Sequence, residues 1–260
     1  MAQIFKPAAN SITTATLLGI AIGVPTIWLA IAGLSRSPAN TKVNVPKNQP
    51  VPFSHQHHNW ELGIDCRYCH GSVEKSGYAG LPATEVCMSC HSQIWTNSPL
   101  LEPVRQSYET GQPIKWNLVN KLPDFVHFNH SSHIARGLNC NTCHGPVQNM
   151  HITWKGNAFQ MAWCLNCHRA PERYLYRAKE AEATGRQPRQ QVFDLYWKYQ
   201  TYGLQGLTNR ERTLMIGSGD NSGTVVGVSD SPTDRAAGRD LIKKYGIKVQ
   251  QLADCSVCHY

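Results

Sequence analysis

One pattern accounts for every cysteine in the 260-residue chain: Cys-x-x-Cys-His occurs five times and uses all ten cysteines. The copies are CRYCH at 66–70, CMSCH at 87–91, CNTCH at 140–144, CLNCH at 164–168 and CSVCH at 255–259. This spacing is typical of covalent c-type haem attachment, in which two thiols add to the porphyrin vinyl groups and the following histidine binds the iron. The sequence therefore predicts five covalently attached c-type haems.

Two other chemistries use Cys-x-x-Cys pairs, namely zinc binding and a redox-active dithiol. Zinc ribbons combine their pairs two at a time, and neither chemistry needs a histidine after every second cysteine, so haem attachment is favoured. The predicted attachment residues are Cys66, Cys69, Cys87, Cys90, Cys140, Cys143, Cys164, Cys167, Cys255 and Cys258. The predicted proximal iron ligands are His70, His91, His144, His168 and His259.

The opposite faces of the irons need further ligands, and two His-x-x-His pairs are the main candidates. His55 and His58 are three residues apart, as are His130 and His133. Residues at this spacing share one face of a helix. Because two side chains one turn apart cannot reach opposite faces of one haem, each pair is predicted to bind two different irons and hold two neighbouring haems together.

The fifth iron has no distal ligand from these pairs. Met150, His151 and Met161 lie between the third and fourth motifs, and the choice among them is left open. A methionine ligand would raise the haem potential relative to a second histidine. His57 and His127 lie outside the repeated register and are predicted not to be ligands.

Irons with protein ligands on both faces have no open position for a substrate, so the pattern favours electron transfer over catalysis, and no catalytic residue is predicted. The formal net charge is +8 and the pI is about 9.0. Five haems would bring ten propionates, about ten negative charges when ionised. The basic composition is therefore no indication of a nucleic-acid partner.

An internal duplication organises the haem-binding region. FSHQHHNWELGIDCRYCHGSV, from Phe53, and FNHSSHIARGLNCNTCHGPV, from Phe128, share the Phe-x-His-x-x-His motif, the first Cys-x-x-Cys-His motif and the Gly-x-Val that follows. Each copy is followed by a second haem motif, which predicts two dihaem modules. The predicted boundaries are an N-terminal segment 1–14, a transmembrane helix 15–34, an extended linker 35–52, a first module 53–100, a connector 101–127, a second module 128–170, a helical segment with a long surface loop 171–235, and a C-terminal helix with the fifth haem 236–260.

Residues 15–34 contain no charge, and twenty residues in a helix span about 30 Å, the thickness of a bilayer core. A cleaved signal peptide is the competing interpretation, but the apolar run is longer than an ordinary signal core. We therefore expect a single-pass anchor in the bacterial cytoplasmic membrane. The haem domain is expected on the periplasmic (outer) side, where haem attachment takes place.

The expected fold is a multihaem c-type cytochrome, with short α-helices and long loops wrapped round packed haems and little β-structure. One or two charged helices are predicted in 171–201, broken near Gly185 and Pro188. Residues 203–234 are rich in Gly, Ser and Asn and predict a long surface loop; whether this loop docks a partner is left open. Ser231 or Thr233 is predicted to cap the helix that precedes the fifth motif.

Several of these motifs together resemble one known family. The chain resembles the pentahaem cytochrome subunit of alternative complex III. The resemblance lies in the membrane anchor and in the stretches FSHxxH, CRYCHGSVEKSGYAGLPATEVCMSCH, GLNCNTCHGPVQNM and MAWCLNCHRAPERYLY. The resemblance covers 53–176. It implies a bacterial quinol:electron-acceptor oxidoreductase with polytopic quinol-binding membrane subunits. There, an iron–sulfur subunit passes electrons to the pentahaem chain, and a monohaem cytochrome c subunit or a soluble carrier receives them.

The Phe-x-His-x-x-His motif is also similar to small multihaem cytochromes of the c3/c7 type. Two functional alternatives remain at this point. One is a membrane-anchored quinol dehydrogenase of the NapC/NirT or TorC type, which would itself contact quinol. The other is a multihaem reductase, which would need one high-spin haem with an open axial position. A structural or signalling role is disfavoured by five haems.

Overall fold

The computed structural model describes residues 6, 8–216 and 227–259. The chain divides into two compact units, Met1–Asn44 and Val45–Tyr260. In the described residues of both units the regular structure is helical. The only β-pairing among the described residues consists of two isolated antiparallel bridges, Pro46 with Trp154 and Val126 with His259. The expectation of short helices with little β-structure is confirmed.

The first unit consists mainly of one apolar helix, α1 (Ala8–Arg36), with Pro25 inside it. Its 29 residues, with a mean hydropathy of 2.1 over an 18-residue stretch, would suffice to cross a bilayer, although a signal sequence meets the same criteria. A helical turn, α2 (Pro38–Thr41), follows, and Lys42 ends it with a φ of 58°. The segment 35–52, predicted as an extended linker, therefore begins with the end of α1 and a further turn of helix, because Ser37 and Pro38 favour helix initiation.

The second unit is built from eleven described α-helices and several shorter helical turns. The α-helices are α3 (Cys66–Cys69), α4 (Thr84–His91), α5 (Glu102–Thr110), α6 (His130–Ile134), α7 (Cys140–His144), α8 (Met161–Arg169), α9 (Lys179–Ala183), α10 (Pro188–Tyr202), α11 (Asn209–Ile216), α12 (Pro232–Lys244) and α13 (Cys255–Cys258). A π-helix spans Gln56–Glu61, and 3₁₀ turns span Pro99–Leu101, Val147–Asn149, Pro171–Arg173, Leu204–Gly206 and Val249–Gln251.

Three of the helices, α3, α7 and α13, begin at the first cysteine of a haem motif. The residue before the first cysteine is Asp65, Asn139 or Asp254, and each occupies the N-cap position. The Asp65 carboxylate accepts a hydrogen bond from the Arg67 amide, and the Asn139 side chain accepts one from the Asn141 amide. Such caps satisfy amides that have no partner within the helix. They fix where the helix begins and so where both cysteines of the motif lie.

The largest apolar cluster forms around α10. It contains Val73, Ile134, Val192, Phe193, Leu195, Tyr196, Tyr199, Leu207, Leu214 and Met215, all of them buried. Gln187 and Gln190 form a capping box at the start of this helix, and Pro188 is its first residue. The break predicted near Gly185 and Pro188 lies between α9 and α10.

The prediction of a long surface loop over 203–234 is wrong for the described residues up to Ile216. Leu204–Gly206 form a 3₁₀ turn, and Asn209–Ile216 form α11, in which Leu214 and Met215 are buried. The Thr208 hydroxyl accepts a hydrogen bond from the Glu211 amide, and the Glu211 carboxylate accepts one from the Thr208 amide. This reciprocal cap nucleates a helix in a polar segment. Residues 217–226 of the predicted loop lie outside the described residues.

Helix α12 packs against the turn Pro171–Arg173, where Gly238 lets the two segments approach closely. A Cβ atom at this position would lie 2.1 Å from the Glu172 carbonyl oxygen. Ser231 is the N-cap residue as predicted, but its side chain makes no capping hydrogen bond. The helix leads towards α13 and the fifth motif.

Candidate haem-binding sites

Four of the five predicted proximal histidines face a second histidine. The ring centroids are 6.4 Å apart for His55 and His70, 6.1 Å for His58 and His91, 6.2 Å for His130 and His144, and 6.2 Å for His133 and His168. The ring planes are 9°, 63°, 10° and 20° apart, in the same order. Each member of a His-x-x-His pair thus faces the histidine of a different motif.

These separations can be compared with the chemistry of a haem iron. Metal–imidazole bonds of about 2.0 Å on both sides of an iron, with each ring centre about 1.1 Å beyond its nitrogen, place two centroids about 6 Å apart. The four observed separations match this distance. The donor set, two imidazoles beside two cysteines of one motif, therefore fits a covalently attached c-type haem at each of the four positions.

All eight of these imidazoles have their Nδ1 atom within hydrogen-bond distance of a polar atom. The partners are Thr153 Oγ1 for His55, Ser54 O for His58, Gly80 O for His70, Ile94 O for His91, Gly77 O for His130, Asn129 O for His133, Asn120 Nδ2 for His144 and Leu252 O for His168, at 2.7–3.1 Å. A ligating histidine ordinarily donates its second N–H to such a partner, and seven of these eight partners are oxygens that can accept it. The arrangement leaves Nε2 for the iron.

Burial keeps several of these rings neutral. It lowers the pKa of His55 to about 4, with His70 adding to the effect, and lowers the pKa of His144 to about 4, with His130 adding. Burial also lowers the pKa of His133. A neutral imidazole has a free lone pair for a metal, so these side chains are competent ligands at neutral pH.

The two distal pairs are carried by different kinds of helix. His58 belongs to the π-helix Gln56–Glu61, and His133 belongs to α6. A phenylalanine packs on each: the Phe53 ring lies 4.4 Å from that of His58, and the Phe128 ring lies 4.7 Å from that of His133. The duplicated sequence therefore produces a duplicated aromatic contact, although the expected α-helical register holds only in the second copy.

The fifth motif has different surroundings. The His259 ring lies 5.8 Å from the ring of Phe125, and Val126 forms the antiparallel bridge with His259. The His127 amide donates to the Cys258 carbonyl at 2.8 Å. His127 thus follows the residue that pairs with His259, and its role stays a prediction.

Two of the three candidates for the distal ligand of the fifth iron lie near the π-helix Gln56–Glu61. Met150 is completely buried, and its carbonyl accepts a hydrogen bond from the Gln56 amide at 3.1 Å. His151 lies near Glu61. The pKa of the Glu61 carboxyl is lowered, chiefly by its hydrogen bond to His57 and least by the nearby His151. His57, predicted not to be a ligand, has its Nδ1 atom 2.7 Å from the Glu61 carboxylate.

Met161 has a different position. It is the first residue of α8 and is 57% exposed. Cys164 lies one turn further along the same helix, and its pKa is raised by burial and then by the neighbouring Cys258 of the fifth motif. Residues three apart share a helix face. Met161 is therefore the candidate on the helix face that approaches the fifth motif.

The first motif lies beside both the second and the third. The Tyr68 hydroxyl is 2.8 Å from the Ser89 hydroxyl, and these residues lie inside the first and second motifs. Cys66 and Cys140 both pack against the α10 cluster. Burial raises the pKa of Cys66, and the neighbouring Cys140 raises it further.

The remaining motifs continue this series. Burial raises the pKa of Cys143 to about 12, with Cys167 of the fourth motif as the next cause. Nδ1 of His168, in the fourth motif, lies 2.9 Å from the carbonyl oxygen of Leu252, three residues before the fifth motif. Of the ten cysteines, only Cys90 of the second motif and Cys255 of the fifth are exposed. The order in space is thus second, first, third, fourth and fifth, with the most exposed motifs at the two ends.

The Nδ1 partners are the part of the site that the sequence did not predict. Gly77 and Gly80 offer main-chain carbonyls, which any residue carries, and Thr153 and Asn120 lie 98 and 24 residues from the histidines they contact. No local pattern marks such pairs. The duplicated sequence contains one shared feature in this region, a Gly-x-Val after the first motif of each copy. This feature does not show which atom accepts the Nδ1 hydrogen bond.

Repeated Cys-x-x-Cys-His motifs beside paired imidazoles, in a helical chain whose described part contains no strand, define a multihaem c-type cytochrome. Comparison with known proteins agrees. Residues 32–99 match the class III cytochrome C family. The multiheme cytochrome c subunit of menaquinone reductase from Nitratidesulfovibrio vulgaris (strain Hildenborough) is 31% identical over 150 residues, covering 50% of this chain and 71% of that protein. The chain belongs to the class III multihaem cytochrome c family, and its function is electron transfer through covalently bound c-type haems.

Proposed function

We propose that this chain is a membrane-anchored pentahaem cytochrome c of a quinol-oxidising complex of the alternative complex III type. It would receive electrons from an iron–sulfur partner subunit and pass them to a cytochrome c or another soluble acceptor. The four facing imidazole pairs carry this proposal, because two protein ligands saturate an iron and leave no position for a substrate. When bound, the haems supply one-electron carriers, while the protein fixes their spacing, ligands and burial.

For the fifth iron we propose Met161 as the distal ligand opposite His259. Its position one turn before Cys164, on the helix face that approaches Cys258, supports this choice over Met150 and His151. A thioether stabilises the reduced iron relative to an imidazole. The fifth site would then have the highest potential of the five and would serve as the position from which electrons leave.

The neighbour relations of the motifs support a single electron route. The cysteines of the motifs would hold the haems in the order second, first, third, fourth and fifth, and the bound haems would supply one-electron carriers at neighbouring positions. The two His-x-x-His pairs join the second site to the first and the third to the fourth. The exposed cysteines Cys90 and Cys255 lie at opposite ends of the series, where partners can approach.

The membrane and quinone parts of the proposal have separate support. Helix α1 has the length and hydropathy of a membrane anchor, with the haem domain expected on the periplasmic side. The related protein from N. vulgaris is named a subunit of menaquinone reductase, which supports a quinone-linked complex here. Polytopic quinol-binding subunits and an iron–sulfur subunit would complete it, and a monohaem cytochrome c subunit or a soluble carrier would accept the electrons.

Haem quantification together with low-temperature EPR of the oxidised chain tests the proposal. Five haems per chain and only low-spin ferric signals are expected, and the reduced protein should bind little carbon monoxide. A high-spin signal that integrates to one haem would instead support a multihaem reductase or a quinol dehydrogenase of the NapC/NirT or TorC type. Mild-detergent purification should recover iron–sulfur and polytopic partners, and an isolated monomer would contradict the complex. Iron positions in the haem-loaded structure test the route.

A further inference from the structure

Asn120 differs from the other groups that contact the axial histidines. Six of the eight Nδ1 atoms lie next to main-chain carbonyl oxygens, and His55 lies next to the Thr153 hydroxyl. Only His144 has a side-chain amide as its neighbour, with Asn120 Nδ2 at 3.1 Å from its Nδ1. The side chain at this position can be changed by substitution, whereas a carbonyl cannot.

The contact as oriented places two donors together. A neutral histidine that binds a metal through Nε2 carries its proton on Nδ1, and the amide NH₂ is also a donor. At the same time, Asn120 Oδ1 is buried and has no hydrogen-bond partner among the described residues. The oxygen and nitrogen of an amide are exchanged by a half-turn of the group. That half-turn brings Oδ1 to Nδ1, where it can accept the imidazole proton, and removes the donor–donor contact.

We propose that Asn120 is a positioning residue for His144, with its Oδ1 accepting the Nδ1–H hydrogen bond. The proposal rests on the proposed role of His144 as an iron ligand. An acceptor at Nδ1 fixes the tautomer and ring orientation and makes Nε2 a stronger donor to the metal. The third site, in the middle of the proposed route, would thus have its potential set by a residue from the connector between α5 and α6.

Two substitutions change the acceptor in opposite directions. Asn120→Asp supplies a stronger acceptor, stabilises the ferric state and should lower the potential of one haem. Asn120→Leu keeps a similar volume but removes the acceptor, and should raise that potential. Outer-shell partners typically change metal affinity by about 10–100-fold. A tenfold change in the reduction equilibrium of one haem corresponds to about 59 mV for one electron.

Asn117→Asp is the matched control. Asn117 lies in the same connector and is exposed, and its side chain donates to the Asn48 carbonyl rather than to a histidine. It introduces the same charge, so it measures the general electrostatic effect of a new carboxylate. Spectroelectrochemical titration, with haem quantification to verify loading, should show a larger decrease for Asn120→Asp than for this control.

A His144→Ala variant separates the two proposals. If it converts one haem from low to high spin while both Asn120 variants leave all potentials within the range of the control, only the Asn120 proposal fails. If His144→Ala leaves every haem low-spin, the ligand assignment itself fails. Shifts of opposite sign in the Asp and Leu variants, confined to one haem, would support the proposal. Equal shifts of the same sign would overturn it, because a purely structural disturbance has no reason to follow acceptor strength.

Discussion

Replacing His58 with methionine should raise the potential of the haem on Cys87 and Cys90. The nearest motif in sequence, at Cys66, should be unaffected. The reason is geometric: the His58 ring faces His91 at 6.1 Å, whereas His55 faces His70. A thioether is a weaker electron donor than an imidazole, so the ferrous state gains stability. The affected haem therefore identifies which iron His58 binds.

The expected magnitude follows from the ligand exchange. Axial ligands and their surroundings span about 0.8 V in haem proteins, and one His-to-Met exchange is expected to shift the potential by on the order of 100 mV. This is about 50-fold in the reduction equilibrium, since 59 mV is tenfold for one electron. His58 also stacks on Phe53 and has its Nδ1 2.9 Å from the Ser54 carbonyl. Loss of both contacts adds flexibility but does not oppose the direction of the shift.

Spectroelectrochemical titration with EPR of the oxidised protein is the assay, and His57→Met is the matched control. His57 precedes His58 in the same π-helix, is exposed and pairs with Glu61. The control should leave all potentials unchanged. If both variants titrate like the wild type, or if the shifted haem belongs to the first motif, the assignment of His58 to the second iron is wrong.

Three further outcomes are expected. Met161→His should lower the highest potential in the chain, and retention of that potential would exclude Met161 as the fifth distal ligand. Removal of residues 1–34, with a cleavable signal supplied, should give a soluble protein that carries five haems, and haem loss or aggregation would show that α1 does more than anchor. Glu211→Gln should lower the free energy of unfolding by about 1.5–3 kcal/mol, since it removes the charge from a carboxylate that accepts hydrogen bonds from Lys198. Glu182→Gln, in an exposed ion pair, should have a smaller effect. Denaturation of haem-loaded protein measures the difference, which should shrink as pH falls through the depressed folded pKa of Glu211, because that carboxylate's stabilisation is present only above it.

The haem motifs and the two His-x-x-His pairs were readable from the sequence because their chemistry is local. Two cysteines and a histidine within five residues must reach one porphyrin, and two histidines one turn apart must reach two irons. The pairing of His130 with His144 and of His133 with His168 follows the same spacing rule in the second copy. Whether these pairs bind iron stays a prediction, although their separations match it.

The segment from Leu204 to Ile216 shows where sequence reasoning failed. The Gly-, Ser- and Asn-rich composition of 203–234 as a whole predicted a loop, but Thr208-x-x-Glu211 is a capping box that the composition concealed. Glu211 then pairs with Lys198 of α10, and Leu214 and Met215 join the core. These contacts depend on tertiary structure, which overrides weak local preference. The contact between Asn120 and His144 was equally invisible, because amide orientation follows from surroundings.

The two exposed ends of the motif series have a consequence for the direction of current. A row of carriers can pass electrons in either direction, and the high potential proposed for the fifth site affects where an electron resides rather than the sign of the net flow. The sign of the net flow is then imposed by whatever reductant and oxidant sit at Cys90 and Cys255. One scaffold can accordingly serve machinery that withdraws electrons from the quinone pool as well as machinery that fills it, with only the docking faces needing to evolve.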